Sequence, residues 1–164
     1  MKKAFTIFAL AAAAVVLNAQ NVFINGGFEK MDRWGKALHG QDFASIEQIT
    51  DDVQEGKTAL KFTFTEKPKV YICVSQHVRL KPGTKAIDVS VKYKAPNGGG
   101  TFLFFPPKGK HQAFDLKASA DWKEQKFQVA VPEGATFMRL ELRFTKQGTM
   151  LIDALEGKAV TEAK

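Results

Sequence analysis

A chain of 164 residues suits one domain and encloses a core without covalent staples. Its lone cysteine, Cys73, excludes an intrachain disulfide, and its net charge of +7 attracts anions of many kinds. The basic residues are scattered over turns and strand surfaces without an arginine-rich run, so nothing in the pattern supports a nucleic-acid partner.

The first element in chain order is a secretion signal. Met1-Lys2-Lys3 is a positive start, Phe5 to Leu17 is an apolar stretch too short to span a bilayer, and Leu17-Asn18-Ala19 is a small-residue cleavage site. Cleavage after Ala19 is expected, leaving one domain over residues 20–164 with a charge of about +5 once Lys2 and Lys3 are gone. No second apolar span follows. The expectation is therefore a secreted or periplasmic protein that is not embedded in a membrane.

From there on the apolar residues recur at nearly every second position. Leu60, Phe62 and Phe64 alternate with Lys61, Thr63 and Thr65; Ile87, Val89, Val91 and Tyr93 with Asp88, Ser90, Lys92 and Lys94; Met138, Leu140, Leu142 and Phe144 with Phe137, Arg139, Glu141 and Arg143. This spacing predicts strands at Asn21–Ile24, Phe43–Ile49, Ala59–Thr65, Lys69–Leu80, Ala86–Tyr93, Thr101–Phe105, Ala113–Leu116, Lys123–Val131, Thr136–Phe144 and Met150–Leu155. Lys81-Pro82-Gly83-Thr84, Pro96-Asn97-Gly98-Gly99-Gly100 and Pro132-Glu133-Gly134 are among the turns that separate them. Residues 30–41 read as a turn or a short helical turn, and residues 156–164 as an irregular tail. The fold class is all-β, a two-sheet antiparallel sandwich. On that pattern Cys73, between Ile72 and Val74, is a buried small hydrophobe. Gln76, on the face of Val74 and Val78, is a buried amide that satisfies backbone groups, and Trp34 and Trp122 are structural.

Four segments, taken in order, carry a resemblance: Asn25-Gly26-Gly27-Phe28-Glu29, Glu55-Gly56-Lys57-Thr58-Ala59-Leu60-Lys61, Gln76-His77-Val78-Arg79-Leu80-Lys81-Pro82-Gly83-Thr84, and Ile152-Asp153. Together they resemble carbohydrate-binding modules of the galactose-binding-like jelly-roll type, as in families four, nine and twenty-two. The resemblance implies a jelly roll whose first and last strands are neighbours. It also implies a structural calcium ion, held by the carbonyls of Gly27 and Lys57 and the side chains of Glu29 and Asp153. Gln54 stands where the family pattern tends to place an acid, and Glu29 and Asp153 could instead accept hydrogen bonds from turn amides.

For the ligand the resemblance implies a polysaccharide or glycan contacted by Tyr71, by Phe104 with Phe105 and the loop Lys108-Gly109-Lys110-His111, and by Arg139, Glu141 and Arg143. The last three share one face at period two, and such a stripe suits a surface that grips hydroxyl or carboxylate groups. No catalytic spacing accompanies it. His39, His77 and His111 lie far apart in the chain, and no nucleophile or metalloprotease motif occurs, so no enzyme activity is expected. Two other classes use the same fold. One is an adhesive or structural envelope domain without sugar affinity, and the other is a small polysaccharide lyase using Tyr71, His77 and an arginine.

Overall fold

The computed structural model describes residues 21–161; the predicted signal at 1–19 and the last three residues lie outside them. The described residues form ten strands in chain order. These are β1 (Gly35–Ala37), β2 (Ala44–Ile49), β3 (Ala59–Phe64), β4 (Ile72–Arg79), β5 (Thr84–Ala95), β6 (Gly100–Phe105), β7 (Gln112–Leu116), β8 (Ser119–Ala130), β9 (Phe137–Phe144) and β10 (Gly148–Thr161). They make two antiparallel five-stranded sheets, a first of order β1-β4-β9-β6-β7 and a second of order β2-β3-β10-β5-β8. This is a jelly-roll β-sandwich, as the period-two pattern predicts.

Alternation decides which side chains fill the space between the sheets. On β9 the side chains of Met138, Leu140, Leu142 and Phe144 are wholly buried, and on β3 Leu60 and Phe62 are wholly buried with Phe64 nearly so. The ring of Phe144 bridges the layers, stacked 5.7 Å from Phe64 and edge-on 6.3 Å from Phe62. Burial of each such side chain contributes about 1.5–3 kcal/mol. The partners of these residues on the pleat point outward, which leaves Arg139, Glu141 and Arg143 on the outer face of the first sheet.

Three parts of the chain depart from the sequence expectation. Residues 21–24 form no strand. Asn21 Oδ1 accepts a hydrogen bond from the Phe23 amide, Asn25 and Phe28 take positive φ values of 54° and 55°, and the segment turns instead of extending. It still lies against β10, because the Val22 amide donates to the Gly157 carbonyl and the Leu155 amide to the Gly26 carbonyl. The first segment and the last strand are therefore neighbours, through isolated hydrogen bonds instead of a ladder. The approach is close enough that a Cβ on Gly26 would lie 2.0 Å from the Leu155 carbonyl oxygen.

Residues 30–41 hold the short edge strand β1, paired with β4 through Lys36 and Val74. The expected tail is the second half of β10, which pairs with β5 as far as Thr161. Between Asp153 and Glu156 the register of β10 shifts by one residue, and Ala154 takes a φ of 49°. That bulge ends pairing with β3 at Ile152 and frees the edge for the N-terminal segment.

Gln76 does what its position predicts. Its side-chain Oε1 accepts from the Ile24 amide at 2.9 Å and its Nε2 donates to the Ile24 carbonyl at 2.8 Å, pinning the N-terminal segment across the end of the sandwich. Trp34 is buried beside Phe28 and donates its indole N–H to the Asn25 carbonyl. Trp122 is only half-buried, with its indole N–H bound to Asp52 at 2.7 Å.

Candidate functional site

The outer face of the first sheet is built in rows, because antiparallel pairing sets residues of neighbouring strands opposite one another. Cys73 of β4, Arg143 of β9 and Thr101 of β6 form one row; Ser75, Glu141 and Leu103 the next; His77, Arg139 and Phe105 the third. Arg79 and Phe137 end the face. Glu141 thus sits at the centre, with an arginine two residues away on either side along the same strand.

The two arginines share that carboxylate. Arg139 Nη2 lies 2.8 Å from Oε1, while Arg143 donates from Nε at 2.8 Å and Nη2 at 2.6 Å to Oε2. The Glu141 side chain is 8 % exposed, against 46 % for Arg139 and 25 % for Arg143, so the acid is sunk and the cations stand above it. Each guanidinium also rests on a ring. Arg143 lies 4.0 Å from the centroid of Tyr71, and Arg139 lies 4.7 Å from that of Phe105. Tyr71 is braced edge-on by His39 at 4.9 Å, and Phe105 packs at a tilt against His111 at 5.5 Å. At the far end the ring of Phe137 is 43 % exposed beside His77.

Cys73 lies beneath this cluster and is 6 % exposed. Burial pushes its thiol pKa up, and the nearby Glu141 charge adds to the shift. It is a neutral, packed thiol, as its apolar neighbours predict, and not a nucleophile.

The structure gathers Tyr71, Arg139, Glu141 and Arg143 in one patch. Phe104 is not part of it. Its ring is wholly buried between the sheets against Phe23, Phe114 and Phe127, because position 104 falls on the inner phase of β6. Phe105, one residue later, takes the outer face. Sequence reasoning did not assign His39 or Phe137 to the face. Phe137 was legible, since it is in phase with Arg139 on β9; His39 was not, because it reaches Tyr71 from a loop position with a φ of 53°.

The residues expected to hold calcium lie where the first segment, the 50–58 loop and β10 meet. Asp153 is wholly buried. Its Oδ2 accepts from the amides of Gln54 at 2.7 Å and Glu55 at 2.8 Å, and its Oδ1 from the Ala154 amide at 2.6 Å. Glu29 Oε1 accepts from the amides of Lys57 at 2.6 Å and Thr58 at 3.2 Å. Each of these amide hydrogens takes up one lone pair of a carboxylate oxygen. Among the described residues no group of three or more His, Cys, Asp or Glu side chains comes together. Glu29 and Asp153 thus form an amide clasp, the second of the two roles their positions offer, and the Gly27 and Lys57 carbonyls take no part in it.

No protein-family model matches the chain, and no curated protein matches it. Solved structures do. A family 16 carbohydrate-binding module superimposes with a TM-score of 0.64 at 15% identity, over 84% of this chain and 99% of the other. The CBM22-1 xylan-binding domain of Xyn10C from Paenibacillus barcinonensis does so with a TM-score of 0.55 at 18% identity, over 79% and 87%. The chain has the jelly-roll fold of the carbohydrate-binding modules. The same fold occurs in the enzymatically active domain of tailspike protein 4 of bacteriophage CBA120, with a TM-score of 0.71 and 13% identity over 85% of this chain. This chain spans about a fifth of that tailspike, 21% of its length. At these identities the likeness to the modules and to the tailspike is one of fold.

Proposed function

We propose that the chain is an exported, non-catalytic carbohydrate-binding module whose ligand lies on the outer face of the first sheet. The observation that carries this reading is the Arg139, Glu141 and Arg143 stripe. Its guanidinium planes are fixed by a central carboxylate and two rings, and they present directed donors on an open sheet face. The exposed ring of Phe137 adds an apolar surface on which the C–H face of a sugar can lie. The modules of like fold support the reading: one is a xylan-binding domain, and another is seen in complex with β-1,4-galactotriose. Export is supported by the Lys2-Lys3 start and the Leu17-Asn18-Ala19 site.

Affinity electrophoresis through gels containing neutral and acidic polysaccharides tests this. At least one polymer should retard the protein, and Tyr71→Ala and Arg143→Ala should each weaken retardation by about tenfold or more, the loss expected for an anchoring residue. Unchanged retardation in both variants would place the ligand elsewhere. No retardation by any polymer would favour an adhesive or structural envelope domain, and appearance of shortened or unsaturated chains would show a lyase.

A further inference from the structure

The same face has a consequence for the kind of saccharide it takes, on the reading that it binds one. A neutral sugar presents hydroxyls that both donate and accept, and a C–H face that needs an uncovered ring. Around the centre of this stripe neither requirement is met. Both oxygens of Glu141, the only carboxylate on β9, already accept from arginines, and with its side chain only 8 % exposed beneath them it offers a ligand little to bind. The rings of Tyr71 and Phe105 each have a guanidinium over them, and Arg143 also lies 5.8 Å from Phe105. What remains free is donors. Nε and Nη1 of Arg139 and Nη1 of Arg143 have no acceptor among the described residues, and the Arg139 side chain is 46 % exposed.

The charge around the stripe points the same way. Arg79 is exposed at one end, and Lys108 and Lys110 are exposed on the loop whose His111 packs on Phe105. The other outward acid of this sheet, Asp115 on β7, already accepts from the Thr101 hydroxyl at 2.7 Å. Two arginines around one buried carboxylate leave one positive charge in excess, with its donors directed outward.

We propose that the ligand of this face is an anionic saccharide, whose carboxylate or sulfate oxygens are held by Arg139 and Arg143 above Glu141. The ring of a neighbouring sugar along the chain then reaches Phe137. Glu141 acts as the positioning residue, which fixes both guanidinium planes without touching the ligand.

The test uses polygalacturonate, alginate and hyaluronan, each before and after reduction of its carboxylates to alcohols, and a sulfated galactan before and after desulfation. Xylan and galactan are the neutral polymers. At least one charged polymer should bind about tenfold or more tightly than its neutralised form, and the difference should shrink as added salt shortens the screening length below about 8 Å. Whether the carboxylate or the sulfate series responds tells which group is recognised. Arg139→Gln, at an exposed position where folding is least at risk, should reduce the preference for the charged form.

The double variant Lys126→Ala/Lys158→Ala, on the outer face of the second sheet, should leave binding unchanged. If it lowers affinity as much as Arg139→Gln does, attraction is general to a basic protein and the inference falls. Equal, salt-insensitive binding to charged and neutralised chains, or binding to xylan or galactan alone, would overturn the inference while leaving saccharide binding intact. Binding to none of them would overturn both.

Discussion

Replacing Asp153 with alanine should be among the most damaging changes outside the apolar core. The substitution removes the acceptor of three backbone amides, those of Gln54, Glu55 and Ala154, from a site with no solvent exposure. A hydrogen bond to a charged group contributes about 1.5–3 kcal/mol, but the exposed 50–58 loop can swing away and rehydrate its two amides, so the three contributions do not add fully. The expected loss is about 3–5 kcal/mol, or roughly 10–15 °C in melting temperature for a domain of this size. Asp153→Asn keeps one oxygen, and with it in the Oδ2 position only the Ala154 bond is lost. That variant should lose about 1–3 kcal/mol. Urea unfolding followed by circular dichroism gives both values. Because the clasp is made of amides, a chelator should leave the wild-type midpoint where it is. A loss below about 1 kcal/mol for Asp153→Ala would refute the amide accounting. A wild-type midpoint that rises with calcium, and stops doing so in Asp153→Ala, would show that the same residues hold a calcium ion.

Gln76→Leu fills nearly the same volume but leaves the Ile24 amide and carbonyl unpaired, so it should lower stability by about 1–3 kcal/mol in urea unfolding; a loss under about 0.5 kcal/mol would show that water replaces the amide freely. Asp52 provides a pH-dependent contribution. Its hydrogen bond from Lys94, with a second from Trp122, holds its carboxyl below the ordinary value of 3.8. A lowered folded pKa means that the stabilisation is complete above the unfolded value and is lost as pH falls through the folded one. The stability difference between wild type and Asp52→Asn should therefore be constant from neutral pH down to the ordinary carboxylate range and shrink below it, with Trp122 fluorescence changing in the wild type alone. A difference that stays constant into strong acid would exclude the Asp52 contribution.

The sandwich was legible because period-two alternation survives wherever one strand face is buried, as in Met138, Leu140, Leu142 and Phe144. The same phase placed Arg139, Glu141 and Arg143 together on the outer face. Phase also shows why Phe104 was the wrong choice: Gly100, Phe102 and Phe104 are the inward set of β6, and a Cβ on Gly100 would meet the Met150 sulfur at 2.4 Å. The N-terminal strand failed for another reason. Val22, Phe23 and Ile24 have β-favouring side chains, but the Asn21 side chain and the left-handed Asn25 turn the backbone, and Gln76 supplies the partners that a ladder would have supplied. The second half of β10 was hidden because Ala154 and Leu155 form a bulge, which breaks the alternation at the point where the tail was expected to begin.

The bulge and the clasp also bear on why the two outer faces differ. On the second sheet, the 50–58 loop is drawn down onto the strands by Asp153, and it brings Asp52 to 2.8 Å from Lys94 and Glu55 to 3.9 Å from Lys92. Each of those lysines is matched by a loop acid of its own, and the loop lies over the strands that carry them. On the first sheet, two arginines have one carboxylate between them and half-exposed rings at their sides. A face on which unlike charges are paired one to one beneath a loop has little to offer a charged ligand. An open face with excess cation and unused donors loses part of its hydration on binding and gains directed hydrogen bonds in return. The amide clasp at Asp153 thus holds a loop over part of the second sheet, and the asymmetry leaves the first face as the better match for the proposed anionic ligand.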